Sequence, residues 1–144
     1  MTFQNPEQEK IFQYLKDAKR IAIIGLSNKE DRTSYQIAKL LRKNGYQIIP
    51  VNPVLEGEQI LGKKVYGKLE DIPGEIDIVN IFRRSEFLPE VAEAFLKTNA
   101  KVFWAQLGLE SEEAEKILKN AGRNDIIMNR CIKIELADML DDIS

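Results

Sequence analysis

Short apolar runs alternate with amphipathic segments along this chain, and this alternation constrains its fold more than any other feature. The first run, Ile21 to Ile24, has no polar interruption, which is typical of a strand buried on both faces of a parallel sheet. Five such runs are predicted strands: residues 20–25, 46–51, 76–82, 101–105 and 125–129. Amphipathic spacing predicts helices over residues 6–18, 33–44, 87–98, from 111 onward, and 134–140. The repeated order predicts an α/β fold: a single doubly wound domain with a five-stranded, mainly parallel sheet and helices on both faces.

Local signals refine this outline. Residues 55–64 are polar and contain glycines, so we interpret them as a connection, followed by a short strand near 65–66 and a helical turn over 69–72. Ser111 is predicted to cap the fourth helix, because acidic residues follow it where a helix favours negative charge. Trp104 lies inside the fourth predicted strand, and we expect it in the core.

Length and composition set the broad class of protein. The 144 residues fit one domain, which we predict over residues 1–144 with its core at about 10–140. The content of 44% hydrophobic and 31% charged residues is typical of a folded chain. The net charge of −2 argues against nucleic-acid binding through phosphate neutralisation, and no apolar run is long enough to span a membrane. A single cysteine excludes an internal disulfide, so we expect a reducing, cytoplasmic location.

The sequence contains no histidine, which removes several kinds of active site. A Ser-His-Asp triad, a Cys-His pair, a histidine metal site and a phosphohistidine intermediate are all excluded. Cys131 has no base to activate it, so we do not expect a catalytic nucleophile. Its thiol either lies in the core or faces a cleft, and the sequence leaves both alternatives open.

The loop after the first predicted strand is a candidate phosphate site. Gly25 ends the strand, and Thr33 and Ser34 begin a helix whose free N–H groups attract phosphate. Lys29 and Arg32 add positive charge between them. A larger residue at position 25 is predicted to obstruct a ligand at little cost to the fold. The alternative is structural: the glycine only ends a strand, and the serine only caps a helix.

The end of the second predicted strand argues against a nicotinamide cofactor. An NAD site usually has an acidic residue there to bind the ribose hydroxyls, whereas this chain has Asn52 and Pro53. The first loop also has one glycine where the NAD fingerprint has three. A ligand with phosphate on that ribose is better suited to such a neutral setting.

Two other strand ends carry candidate ligand-binding side chains. Arg83 and Arg84 follow the third predicted strand and either pair with phosphate or remain solvated surface arginines. Gln106 follows the fourth and is suited to hydrogen-bonding a ligand amide.

Six segments of the sequence together resemble the small single-domain CoA-binding proteins of bacteria and archaea. These proteins are similar to the CoA-binding domain of the succinyl-CoA synthetase α-subunit and related acyl-CoA synthetases. The segments run in unbroken order across residues 10–140: 23–35, 45–53, 62–66, 77–84, 104–108 and 128–135.

This resemblance implies a Rossmann-like fold with CoA as its ligand. Gly25, Leu26 and Ser27 would lie along the pyrophosphate, with Ser34 at the helix N-terminus beside them. Asn52 and Pro53 would border the adenosine, Phe82 and Arg83 would line the nucleotide, and Gln106 would face the pantetheine arm. Lys29 and Arg32 complete the predicted binding residues.

We therefore predict a protein that binds CoA or acyl-CoA without catalysis of its own. By the resemblance, the synthetases need a phosphorylated histidine and an ATP-grasp partner, and this chain supplies no histidine. The alternatives are a nicotinamide-dependent reductase and a regulatory protein that senses CoA and signals to a partner. The acyl group, the protein partner and formation of a homodimer remain open from sequence.

Overall fold

The computed structural model of the protein describes residues 3–143 and contains seven strands. They are β1 (Arg20–Ile24), β2 (Gln47–Val51), β3 (Gln59–Ile60), β4 (Lys63–Lys64), β5 (Ile78–Ile81), β6 (Val102–Ala105) and β7 (Ile126–Ile127). Five of them form a parallel sheet in the order β2-β1-β5-β6-β7, while β3 and β4 form a separate antiparallel hairpin. The predicted five-stranded, doubly wound α/β fold is confirmed.

Five α-helices cover the two faces of this sheet. They are α1 (Gln8–Asp17), α2 (Thr33–Lys43), α3 (Leu88–Leu96), α4 (Glu112–Asn120) and α5 (Ile132–Asp142). The helices α1, α2 and α5 pack on one face, and α3 and α4 pack on the other. Single turns of 3₁₀ helix occur at Pro53–Leu55, Leu69–Asp71 and Ser85–Phe87. Within residues 3–143, no helix is long and apolar enough to span a membrane.

The apolar runs form strands because the sheet is buried on both faces. Every residue of β5 and β6 is buried, and alternate residues enter the two separate cores. Trp104 is fully buried, as predicted, and its indole Nε1 donates a hydrogen bond to the Arg130 carbonyl at 2.9 Å. The predicted cap of α4 is also confirmed, since the Ser111 hydroxyl accepts from the Ala114 N–H at 3.1 Å.

The strand order reverses beside β1. The chain places β2 on one side of β1 and then returns to add β5, β6 and β7 on the other side. The loops that leave β1 and β5 therefore diverge to opposite faces of the sheet and open a crevice between them. Doubly wound domains bind their ligands at such a switch point, at the carboxyl ends of the strands.

The last strand is shorter than predicted. It covers Ile126–Ile127 rather than residues 125–129, because a side chain replaces strand pairing at Met128. The Asn5 amide donates to the Met128 carbonyl at 2.8 Å and accepts from its N–H at 2.9 Å. Asn129 then adopts a positive φ of 58°, which turns the chain out of the sheet.

Other predicted boundaries also differ from the structure, and two of these differences have a clear physical reason. The connection 55–64 contains the hairpin β3–β4, turned by Leu61 and Gly62 at positive φ, where we expected no strand. The final helix α5 begins at Ile132 rather than 134, because buried Ile132, Leu136 and Met139 anchor it against the sheet.

Candidate functional site

Gly25 and Phe82 meet at the switch point, where β1 and β5 end. Gly25 has a φ of +83°, and a Cβ added to it would overlap the carbonyl oxygen of Phe82. The space beside Gly25 is thus filled by the neighbouring strand's backbone. The prediction that a larger residue here would cost the fold little was wrong, because glycine is needed for the two strands to close together.

The loop after β1 is held by its own serines. The Ser34 hydroxyl accepts a hydrogen bond from the Ser27 N–H at 3.0 Å, and the Ser27 hydroxyl accepts from the Lys29 N–H at 3.0 Å. Leu26 buries its side chain in the core, and its carbonyl accepts from the Asn52 amide at 3.1 Å. These bonds fix the path of the loop while leaving the start of α2 uncovered.

The N-terminus of α2 is open to a ligand. The first backbone hydrogen bond of the helix runs from the Gln36 N–H to the Arg32 carbonyl, and no side chain caps the helix. Across the described residues, the N–H groups of Thr33, Ser34 and Tyr35 have no acceptor. Such unpaired groups form a partial positive charge that attracts anions.

Two positive side chains line the cleft at this helix end, although Glu30 and Asp31 lie between them in the sequence. Lys29 and Arg32 are exposed, neither forms an ion pair within the part of the chain that the structure describes, and the first turn of α2 contains no acidic residue. In α4, by contrast, the N-terminus carries the Ser111 cap and acidic residues. A cleft of about 510 Å³ opens over the start of α2. We call it the first cavity; it is lined by Gly25, Ser27, Lys29, Arg32, Thr33, Ser34 and Phe82.

A second cavity, also of about 510 Å³, lies between the ends of β1 and β2 and helix α3. Ile24, Val51 and Pro53 form its apolar side, and Arg83 reaches it from the end of β5. Lys68 and Lys97 also line it, together with several acidic side chains. The Arg83 guanidinium lies 4.4 Å from the centre of the Phe87 ring, a contact that orients it without neutralising its charge.

Asn52 lies between Val51 and Pro53, which line this second cavity, but does not line it itself. Its side-chain oxygen accepts from the Val54 N–H at 3.0 Å, while its amide nitrogen binds Leu26. The end of β2 therefore carries a neutral amide whose nitrogen and oxygen each take part in one hydrogen bond within the protein.

A third cavity of about 430 Å³ lies beyond Phe82, and its lining is mostly apolar. It is lined by Thr33, Phe82, Arg83, Arg84, Gln106, Leu107, Leu109 and Cys131. Thr33 and Phe82 also line the first cavity, and Arg83 also lines the second. The third cavity thus shares lining residues with each of the other two, while the first and second cavities share none.

Gln106 enters the third cavity from a buried position. Its side-chain Oε1 accepts from the Asn80 amide and from the Ile132 N–H, both at 3.0 Å. Cys131, the residue before α5, is half-buried and lines the same cavity. Asn80 was not singled out from the sequence, although it is the one polar residue inside the β5 run, and that interruption was the available signal.

Most of the predicted binding residues therefore line these cavities, with two exceptions. Nine of the eleven line one of the three cavities; Leu26 and Asn52 do not line them and instead hold the loop between β1 and β2. A doubly wound sheet with an open, cation-flanked helix N-terminus at its switch point defines a domain of the nucleotide-binding class.

The chain belongs to the CoA-binding domain family. Residues 19–137 match the family described as "CoA binding domain". An uncharacterized protein of Bacillus subtilis (strain 168), YneT, is 53% identical over 131 residues, covering 91% of this chain and 95% of that protein.

Larger enzymes and a solved structure are also similar. The α-subunit of ADP-forming acetate–CoA ligase I of Pyrococcus furiosus is 34% identical over 116 residues, covering 73% of this chain but 25% of the subunit. A hypothetical protein from Pyrococcus horikoshii OT3 superposes with a TM-score of 0.87 at 34% identity, covering 97% of this chain and 99% of that one. The similarity to the ligase thus covers a single domain of a longer protein.

Proposed function

We propose that this chain binds coenzyme A, or an acyl-CoA, along the carboxyl edge of its sheet and acts as a binding module without a reaction of its own. The observation that carries the proposal is the open N-terminus of α2 at the switch point of the sheet, in a chain that belongs to the CoA-binding domain family. Each of the three parts of the ligand is matched by the chemistry of one cavity.

The diphosphate belongs at the first cavity. The N–H groups of Thr33, Ser34 and Tyr35 donate to its oxygens, and Lys29 and Arg32 balance its charge. The Ser34 hydroxyl already accepts from Ser27, so its proton remains for a phosphate oxygen. Gly25 acts indirectly here, because it lets β1 and β5 close and thereby sets the position of the loop.

The adenosine belongs at the second cavity. Its base fits the apolar side formed by Ile24, Val51 and Pro53, and its ribose lies near the end of β2. The end of β2 itself carries the neutral Asn52, while the acidic side chains of this cavity lie on α3 and within residues 56–71. Arg83 is held over Phe87 with its charge unpaired and is the candidate partner for the 3′-phosphate that distinguishes CoA from NAD.

The pantetheine arm belongs at the third cavity. The methyl and methylene groups of this arm suit the apolar lining, which includes Leu107 and Leu109. Gln106 supplies a polar group for one of its two amides, and the arm then ends on the side where Cys131 lies.

The lack of histidine supports a binding module without a reaction of its own. With no histidine, the chain has no site for a phosphohistidine. The similar ligase α-subunit is matched over 25% of its own length. The chain's own residues bind and orient the ligand and keep the phosphates against a helix end.

A thermal unfolding experiment with matched ligands tests this proposal. A ligand at 100 times its dissociation constant stabilises a protein by about 2.7 kcal/mol, which raises the Tm of a domain of this size by several degrees. We expect that rise with CoA and no rise with NAD or NADP at the same concentration. Equal rises with CoA and NAD would contradict the proposal.

A further inference from the structure

Asn80 is a fully buried amide at the centre of an apolar strand. It lies on β5 in register with Ile23 and Trp104, and none of its surface is exposed. Its side-chain Oδ1 has no hydrogen-bond partner in the described part of the chain. An unpaired buried acceptor destabilises a fold, and an aliphatic side chain of the same size would avoid that cost. The fold alone therefore gives no reason for asparagine here.

The nitrogen of the Asn80 side-chain amide holds Gln106 in place. Asn80 Nδ2 donates to Gln106 Oε1 at 3.0 Å, and the Ile132 N–H donates to the same oxygen at 3.0 Å. Because a backbone N–H only donates, the Gln106 atom that faces it must be the oxygen. The two donors together fix which way the glutamine amide is turned.

With its oxygen held on the buried side, Gln106 presents its nitrogen to the third cavity. Gln106 is 5% exposed and lines that cavity, and its Nε2 has no acceptor among residues 3–143. The side chain thus offers hydrogen-bond donors to the cavity and no acceptor. A ligand group beside it must bring an acceptor, such as the carbonyl oxygen of an amide or a thioester.

We propose that Asn80 is a positioning residue that locks the Gln106 amide, so that the third cavity selects ligands with a carbonyl oxygen at this point. The inference rests on the proposed function, because CoA supplies that carbonyl from its pantetheine amides and an acyl-CoA adds a thioester carbonyl. Asn80 touches no ligand; it acts through Gln106. The unpaired Oδ1 is the cost in stability that accompanies this orientation.

Two variants test the inference, each measured with two ligands by titration calorimetry. The ligands are CoA and 3′-phosphoadenosine 5′-diphosphate, which lacks the pantetheine arm. Asn80→Leu keeps the number of side-chain heavy atoms and removes one of the two donors that hold the Gln106 oxygen. We therefore expect the Kd for CoA to rise about two- to tenfold, the range of one hydrogen bond, while the Kd for the diphosphate stays unchanged. The thermal stability of this variant should equal or exceed that of the wild type.

Gln106→Glu keeps the shape and replaces the donor with an acceptor. One carboxylate oxygen can still accept from Asn80 and Ile132, so we expect the variant to fold. Its affinity for CoA should fall by more than that of Asn80→Leu, and its affinity for the diphosphate should not change. If Asn80→Leu does not fold, Gln106→Glu still tests whether the third cavity needs a donor at Gln106 to bind the pantetheine arm.

The outcomes separate this inference from the proposed function. An unchanged CoA affinity in both variants, or an equal loss for both ligands, would overturn the role of Asn80 and Gln106 while leaving CoA binding intact. A wild-type protein that binds neither ligand would overturn the proposed function and this inference with it. A wild-type protein that binds both ligands with equal affinity would place the arm outside the third cavity.

Discussion

The backbone of Gly25 lies against the carbonyl of Phe82 so closely that no other residue fits at position 25 without displacing a strand. We expect Gly25→Ala to lower the free energy of unfolding by at least about 2 kcal/mol, because it combines a left-handed backbone with an overlap. Gly45→Ala is the matched control: Gly45 also has positive φ, at +96°, but no atom lies within 4 Å of an added Cβ. Denaturant unfolding of both variants measures the difference, and equal losses would contradict a role for the Phe82 contact.

Lys29 and Arg32 are expected to strengthen binding through charge. Replacing both by alanine should weaken CoA binding by roughly 0.4–2 kcal/mol, or about 2- to 30-fold in Kd, because both side chains are exposed and screened by water. The loss should shrink as salt is raised.

The control for this pair removes the same amount of charge from the body of α2. Lys39→Ala with Lys43→Ala alters the middle and the far end of α2, away from the first cavity. Calorimetric titration at low and high salt compares the two double variants. An equal loss in both would show that net charge, rather than the helix N-terminus, attracts the ligand.

Arg83 is expected to recognise the ribose phosphate. Arg83→Ala should weaken CoA by about 1.5–3 kcal/mol, roughly ten- to a hundredfold, and should affect 3′-dephospho-CoA much less, because only CoA carries the phosphate. Arg84→Ala is the comparison variant: Arg84 is exposed, pairs with Glu86 at 3.5 Å, and lines the third cavity but not the second, so it should not distinguish CoA from 3′-dephospho-CoA. If the Arg83 variant weakens both ligands equally, Arg83 serves another part of the nucleotide.

Asp77 is expected to make the fold sensitive to acid. Burial raises the pKa of Asp77, but the N–H groups of Arg20 and Lys19 and the Lys101 ammonium more than offset this, so the pKa lies below its usual value. A carboxyl whose pKa is lower in the folded state stabilises the protein above its unfolded pKa. That contribution is lost as the pH falls through the folded pKa.

The variant Asp77→Asn tests this dependence. The variant should be less stable than the wild type near neutral pH. Its stability should also fall less as the pH drops below the usual pKa of an aspartate. Unfolding free energies measured across the acid range compare the two proteins. Parallel curves would assign the acid sensitivity to other groups.

The sheet and the site loop were predictable because their signals are local. Uninterrupted apolar runs such as Ile21 to Ile24 mark strands buried on both faces, and a loop with Lys29, Arg32 and Ser34 marks a helix start suited to phosphate. The family resemblance predicted from sequence was confirmed by the match over residues 19–137.

Features that depend on distant partners were not predictable. The shortening of β7 depends on Asn5, which lies more than a hundred residues away along the chain. The need for glycine at position 25 depends on the Phe82 carbonyl, and the role we propose for Asn80 depends on where Gln106 and Ile132 converge. Each of these is a contact between separate elements, and no spacing in the sequence encodes it.

Native mass spectrometry of the freshly purified protein, alone and with added CoA, tests the central claim most directly. We predict a mass increase equal to one CoA per chain, present with CoA and absent when NAD is added at the same concentration. A spectrum that contains only the bare chain under CoA excess would contradict the account.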